Sequence, residues 1–183
     1  VITGLSGSGR STAVKAFEDM GSYCVDNLPT ALLPKMLDLV AESTMDLKVV
    51  ALGMDIREKD FLRDFPGLFS EIRDRGVPIR LLFLTASEKV LVRRYSETRR
   101  VHPLGGRGPL LETIREEARE LEPLKKIADQ IVDTSEMTLR DLKEEVMKIC
   151  RERMVPEKLN VTVLTFGFKH GLPFNADLVF DVR

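Results

Sequence analysis

The sequence predicts an α/β fold, a doubly wound parallel sheet of about five strands with helices on both faces. Three observations carry this. Short apolar runs alternate with apolar stripes of helical period from residue 1 to about residue 155. The runs are continuous rather than alternating, as strands covered on both faces require. Between the first run and the first stripe lies a glycine-rich loop, Gly4-Leu5-Ser6-Gly7-Ser8-Gly9-Arg10-Ser11.

The elements follow in order. Val1-Ile2-Thr3 is the tail of a first buried strand. Ala13, Val14, Phe17 and Met20 stripe the first helix, and Gly21 stands where a left-handed cap is expected. Ser22-Tyr23-Cys24-Val25 is a second strand ending at Asp26. Leu32, Leu33, Met36, Leu37 and Val40 mark a second helix, which tolerates Pro34 only in its first turn. Residues 48–54 are a third strand closed by Asp55, and residues 61–75 a helix interrupted near Pro66-Gly67. Residues 78–84 form another strand, 87–98 a helix and 101–109 a loop rich in glycine and proline. Residues 110–121 are helical, with Pro123 as the stop. Ile131-Val132-Asp133 is a short strand, and Thr138 with Asp141 opens a capped helix to about Arg153. Pro156 marks a boundary, so residues 1–155 are expected to form one domain and 156–183 the truncated beginning of a second. Beyond it, residues 159–166 alternate with period two, a turn-rich stretch follows, and residues 179–183 read as a further strand. Both ends read as cuts through strands, as expected of a fragment of a longer protein.

Composition bounds the function. With 183 residues, 43% apolar and 31% charged, the chain suits an ordinary globular domain. Lys+Arg 28 against Asp+Glu 29 gives a net charge of −1, so nucleic-acid binding would need a local basic patch. The two cysteines, Cys24 and Cys150, lack metal-ligand spacing, which suits a reduced, cytoplasmic setting. No apolar run approaches the roughly 20 residues of a membrane span, and no membrane partner is expected.

Residues 4–11 match the P-loop pattern G-x-x-x-x-G-K-[ST] at every fixed position except the lysine, which is Arg10. Glycine-permitted turns let backbone N–H groups cradle phosphate oxygens, and the following helix adds its positive end. The hydroxyl of Ser11 is the expected Mg²⁺ ligand. The strand–loop–helix context makes this a P-loop NTPase-like sheet.

Asp55 ends an apolar strand, the arrangement that places a carboxylate near Mg²⁺. An aspartate that merely ends a strand is an equal reading, and Arg57 and Glu58 follow where a nucleotide would be contacted. Asp26 also ends a strand, at the edge where open sheets bind ligands. It is either a base toward a substrate hydroxyl or a cap for the turn into Leu28-Pro29. Arg93, Arg94, Arg99 and Arg100 flank Tyr95-Ser96-Glu97-Thr98 beside the glycine loop. They suit a phosphate-clamping lid, against the plainer reading of a solvated helix with Arg93–Glu97 pairing. His102 and His170 are isolated, with no zinc spacing and no nucleophile partner. Lys169-His170 sits in a glycine-bounded loop and reads as surface.

With these pieces assembled, the chain resembles the RapZ/YvcJ family of bacterial nucleotide-binding proteins, also called RNase adapter proteins. The resemblance runs through nearly the whole chain. It rests on the glycine loop, on Ala16-Phe17-Glu18-Asp19-Met20-Gly21 and Tyr23-Cys24-Val25-Asp26-Asn27-Leu28-Pro29, and on Asp55-Ile56-Arg57. Arg93-Arg94-Tyr95-Ser96-Glu97-Thr98-Arg99-Arg100, Ile131-Val132-Asp133-Thr134-Ser135-Glu136-Met137 and Phe166-Gly167-Phe168-Lys169-His170-Gly171 carry it further. Several of these segments are far more specific than a generic P-loop. The resemblance implies ATP and GTP binding with weak hydrolysis. It implies an ATP site at Gly4, Leu5, Ser6, Gly7, Ser8, Gly9, Arg10 and Ser11, and a GTP-associated site at Asp55, Ile56, Arg57 and Glu58. In one branch a C-terminal domain, mostly absent here, binds small regulatory RNA and presents it to a ribonuclease. A homo-oligomer is expected for the full-length protein. Arg10 departs from the family lysine, and an arginine is not a conservative exchange there. Retained nucleotide affinity with impaired γ-phosphate positioning is expected. The catalytic set is then Arg10, Ser11 and Asp55, with Ser11 and Asp55 at the metal. A small-metabolite kinase, with Asp26 as base and the arginines as lid, is the competing expectation.

Overall fold

A computed structural model describes residues 1–43, 47, 49–55, 61–98, 102–104, 109–151, 163–167, 169, 171 and 178–181. Five strands are present among them: β1 (Ile2–Gly4), β2 (Tyr23–Val25), β3 (Val50–Leu52), β4 (Leu82–Thr85) and β5 (Gln130–Asp133). The helices are α1 (Arg10–Asp19), α2 (Leu33–Glu42), α3 (Phe61–Asp74), α4 (Glu88–Thr98), α5 (Leu110–Ile127) and α6 (Leu139–Arg151), with one 3₁₀ turn at Thr30–Leu32.

All strand pairings are parallel: β2 with β3, β1 with β4, and β4 with β5. A parallel bridge from Ile2 to Gly53, with Met54 N–H donating to the Ile2 carbonyl at 3.0 Å, joins the two groups. The order across the sheet is therefore β2-β3-β1-β4-β5, and every strand presents its carboxyl end to the same edge. This is the P-loop NTPase-like α/β fold.

The period of two along β4 sorts the core. Leu81 and Phe83 pack on one face with Phe65, Phe69, Leu91, Ile114 and Leu121, beneath α3, α4 and α5. Leu82 and Leu84 point the other way, onto Ala13, Val14, Phe17, Leu142 and Val146 of α1 and α6. Both faces are covered, which is why the strand sequences read as continuous apolar runs.

Several expectations need correction. α3 runs unbroken through Pro66, because Phe65, Phe69 and Ile72 at helical spacing are buried on the sheet. α5 does not stop at Pro123 but runs on to Ile127. The proline costs roughly 3 kcal/mol in a helix interior. Leu121 and Leu124, 1% and 0% exposed, flank it, and full burial of each such side chain is worth about 1.5–3 kcal/mol. The expected strands past Pro156 are not seen in the described residues. Residues 163–167 and 178–181 form no strand, and Val163, Leu178 and Phe180 are exposed. Residues 152–162 lie outside the described set. Among the described residues no helix is long and apolar enough to cross a membrane. Burial pushes the Cys24 thiol up to about 11 and that of Cys150 up as well, so both stay protonated at neutral pH.

Candidate functional site

The glycine loop leaves β1 at the middle of the sheet and enters α1. Gly4 has φ 145, and a Cβ there would lie 2.0 Å from the Leu84 carbonyl oxygen, so only glycine lets β1 stay paired with β4 at this point. Leu5 N–H donates to that same carbonyl at 3.0 Å, and Ser8 N–H turns back to the Leu5 carbonyl at 2.9 Å. Gly9, with φ 104, is the N-cap of α1 and supplies no side-chain cap, and the first turn carries no acidic residue. The N–H groups of that turn thus stay available to an anion. Ser8 is fully buried, and among the described residues its hydroxyl lacks a hydrogen-bond partner.

Arg10, the first residue of α1, does not reach over the loop mouth. Its Nη2 donates to Asp55 Oδ2 at 2.7 Å and its Nη1 to the Met54 carbonyl at 3.0 Å. Its Nε lies 3.8 Å from Asp26 Oδ1, without a hydrogen bond. The guanidinium is thus seated between the ends of β2 and β3. The Arg10 and Asp55 side chains are 14% and 8% exposed, whereas Asp26 is 42% exposed. Asp26 Oδ1 also accepts the Asn27 N–H, in a turn where Asn27 takes φ 58, so the capping geometry and the position beside the P-loop coexist. Ser11 is exposed at the loop mouth.

A cleft of about 790 Å³ opens over the loop. Residues 4–12 and Asp55 line one end of it; Arg93, Glu97, Pro103, Met137 and Leu139 line the rest. The expected arginine group divides. Arg94 is a clasp: Nη1 donates to the Gly7 carbonyl and to Thr134 Oγ1, both at 3.0 Å, and Nη2 to the Thr134 carbonyl at 2.7 Å. The Thr134 hydroxyl in turn donates to the Ser8 carbonyl at 2.8 Å, tying the β5–α6 turn to the loop. Arg93 is exposed and 3.8 Å from Glu97, the plainer of the two readings. Arg99, Arg100, Ile56, Arg57, Glu58 and His170 lie outside the described residues, and Lys169 is exposed. The box at the start of α6 forms as expected: Thr138 N–H donates to Asp141 at 2.8 Å, and Asp141 N–H to the Thr138 hydroxyl at 3.2 Å. These bonds hold the Asp141 carboxyl below the usual carboxylate range.

His102 is not isolated. It is 5% exposed, and its Nε2 lies 3.2 Å from Glu117 Oε2 on α5. Its Nδ1 accepts the Leu104 N–H, which puts the proton of the neutral ring on Nε2, as donor to Glu117. Glu117, 0% exposed, also receives the Ser6 N–H at 3.0–3.1 Å and the Ser6 hydroxyl at 2.6 Å. A buried carboxylate thus props the glycine loop from behind. Sequence reading missed it, although Ile114, Glu117, Leu121 and Leu124 share one helical stripe, and an acid in an apolar stripe is the available signal.

Mg²⁺ is the metal such a loop implies. Of its two expected ligands, Ser11 fits, being exposed at the mouth. Asp55, the other, has its Oδ2 paired with the Arg10 guanidinium at 2.7 Å.

Comparison with known proteins gives concordant results. The profile of the RapZ-like N-terminal domain matches residues 1–153. A nucleotide-binding protein of Desulforapulum autotrophicum is 46% identical over 184 residues, all of this chain and 63% of that protein. One of Caldicellulosiruptor bescii is 44% identical over 185 residues, covering 64% of its length. The chain thus spans less than two thirds of these relatives. Among solved structures, a shikimate kinase of Bacteroides thetaiotaomicron superposes with a TM-score of 0.53 at 17% identity, covering 82% of this chain and 94% of that one. A gluconokinase of Sinorhizobium meliloti does so with a TM-score of 0.50 at 18% identity, covering 83% and 91%. At such identities the likeness speaks for the fold.

Proposed function

The chain belongs to the family of RapZ-like N-terminal domains, and from that premise we propose a nucleotide-binding regulatory domain that holds ATP and GTP and hydrolyses them slowly. The observation that carries this reading is the uncapped start of α1 behind a glycine loop that opens into the 790 Å³ cleft. The phosphates bind at the loop, on backbone N–H groups and the helix end. Ser11 is the residue that would hold Mg²⁺; when bound, the metal neutralises charge on the phosphate oxygens. Slow turnover follows from Arg10: a side chain engaged on Asp55 and Met54 is not extended over the loop. A GTP-associated role for Asp55, Ile56, Arg57 and Glu58 belongs to the same proposal. So do the division into domains at residues 155 and 156, a cytoplasmic setting, homo-oligomer formation, and presentation of small regulatory RNA to a ribonuclease by the full-length protein.

Titration with fluorescent ATP and GTP analogues, followed by phosphate-release assays, tests it. Saturable binding with slow release of phosphate to water is expected. Absence of saturable binding for both nucleotides would overturn the reading.

One observation favours a second reading. Asp26, half-exposed at the end of β2, lies 3.8 Å from Arg10, where an acceptor hydroxyl could be deprotonated. Transfer of label from γ-³²P-ATP to a small metabolite, lost in Asp26→Asn, would establish a kinase; label recovered only as phosphate would exclude it.

A further inference from the structure

Beyond the glycine loop the cleft has walls of a different kind, and they bear on how the rest of a nucleotide is held. α6 buries one stripe, in which Leu142, Val146 and Ile149 are 3%, 0% and 7% exposed. Leu139 stands one turn earlier on the same stripe, yet it is 72% exposed. A lone exposed leucine means little by itself. This one ends a buried stripe, and it lines the cleft together with Met137. The loop is close by: a Cβ at Gly9 would lie 2.5 Å from Leu142 Cδ2, and Leu139 is about 4.5 Å of helix rise from Leu142. The Arg94 clasp and the Thr134 hydroxyl fix this turn to the Gly7 and Ser8 carbonyls.

The polar side chains of the turn are engaged within the protein. Thr134 is bonded to Ser8 and Arg94, and the Ser135 N–H and hydroxyl both donate to Asp133. Thr138 and Asp141 bond each other. What Met137 and Leu139 add to the cleft is apolar surface. Arg93, on α4, lines the same cleft, with only a loose 3.8 Å pair to Glu97. A purine ring offers two π faces: aliphatic and thioether groups suit one, and a guanidinium plane suits the other. Contacts to ring faces discriminate weakly, whereas hydrogen bonds to ring edges discriminate strongly.

From this we infer that Met137 and Leu139, faced by Arg93, form a base platform that holds the purine of a nucleoside triphosphate by its ring faces and does not tell adenine from guanine. The inference rests on the nucleotide reading above and adds the base subsite to it. The glycine loop takes the phosphates, and the start of α6 takes the base. Because Arg94 and Thr134 tie the two together, the platform is in place before the nucleotide arrives.

The test is displacement of a fluorescent ATP analogue by ATP, GTP and inorganic tripolyphosphate, with folding of each variant checked by circular dichroism. For the unmodified chain, ATP and GTP should compete within about threefold of each other, and tripolyphosphate roughly tenfold more weakly or worse. Leu139→Ser should weaken ATP and GTP alike, by about fivefold, and leave tripolyphosphate unchanged. Arg93→Lys keeps the charge but loses the plane, and should repeat that pattern to a smaller degree. A preference of roughly tenfold or more for either purine would mean that its edge is read, by Glu97 or another group, and would overturn the inference. So would tripolyphosphate competing as well as ATP, an unchanged Leu139→Ser, or a Leu139→Ser loss shared by tripolyphosphate. Each of these leaves the phosphate site standing. No saturable binding of the fluorescent analogue would overturn both this inference and the reading beneath it.

Discussion

The two flanks of the glycine loop are built on opposite charges. On the β2–β3 flank a cation, Arg10, is seated among strand-end acids. On the α4–α5 flank a carboxylate, Glu117, is seated among neutral donors from Ser6 and His102. The first flank is partly open to the cleft, and Arg10 is held there by the Asp55 carboxylate and the Met54 carbonyl. The second is closed, with Glu117 and His102 side chains 0% and 3% exposed. The contrast teaches that a charge seated beside the cleft can stay partly open on ionic and carbonyl partners, whereas a carboxylate sealed behind the loop needs every neighbouring donor turned onto it.

Substitutions on the two flanks should therefore fail in different ways. The largest effect is expected at Glu117. Glu117→Ala leaves the Ser6 N–H, the Ser6 hydroxyl and the His102 Nε2–H without their acceptor. At about 1–3 kcal/mol for each unsatisfied buried group, a loss of several kcal/mol in urea unfolding is expected. Glu117→Gln should cost less, since its amide oxygen still accepts. A silent Glu117→Ala would make the closed flank incidental.

On the other flank, Arg10→Lys should change stability little and hydrolysis much. Phosphate positioning errors of about 1 Å can cost on the order of 10²-fold in rate, so a clear rise in phosphate release is expected. Unchanged release would break the contrast by showing that Arg10 is not what limits turnover.

Arg94→Ala removes the clasp between the Gly7 carbonyl and Thr134. Bonds from a charged donor are worth about 1.5–3 kcal/mol, and a loss in that range is expected by thermal unfolding. Nucleotide affinity should fall with it because the loop is held from the β5–α6 turn. Arg94→Lys should restore only part, lacking the fork.

The smallest effect is at the far rim of the cleft. Thr138→Ala should cost about 1 kcal/mol through loss of the α6 cap. The pH dependence has a definite sign. The Asp141 carboxyl is held below its unfolded value by Thr138. Its contribution is therefore present above the unfolded carboxylate range, near pH 4, and is lost as pH falls through the lower folded value. Asp141→Asn should flatten that acid limb of the stability curve while leaving the alkaline side unchanged.

Sequence alone made the first flank legible and the second not, for physical reasons. Gly4, Gly7, Gly9 and Ser11 form a local motif, and Asp26 and Asp55 are strand-end acids whose place follows from parallel topology. Arg10 was legible as an anomaly, but its seat on Met54 and Asp55 depends on a contact across more than forty residues. Glu117 reaches Ser6 across 111 residues, and nothing local announces it beyond a carboxylate in an apolar stripe. His102 lies in a proline- and glycine-rich loop without periodicity, so its burial had no signal. Pro66 and Pro123 were read as breaks because local propensity was weighed without the tertiary burial that outbids it. The boundary at Pro156 was read from a change of pattern, alternation over residues 159–166 after continuous apolar runs, and much of the segment beyond it lies outside the described residues.

The central claim is that the glycine loop is the phosphate site of a nucleotide cleft. Backbone amide shifts of the ¹⁵N-labelled chain during ATP titration test it most directly. The account predicts saturable shifts at Ser6, Gly7, Gly9, Arg10 and Ser11, with smaller ones at Met137 and Leu139 across the cleft. Shifts confined to other parts of the chain, with residues 4–12 unmoved at saturation, would contradict it.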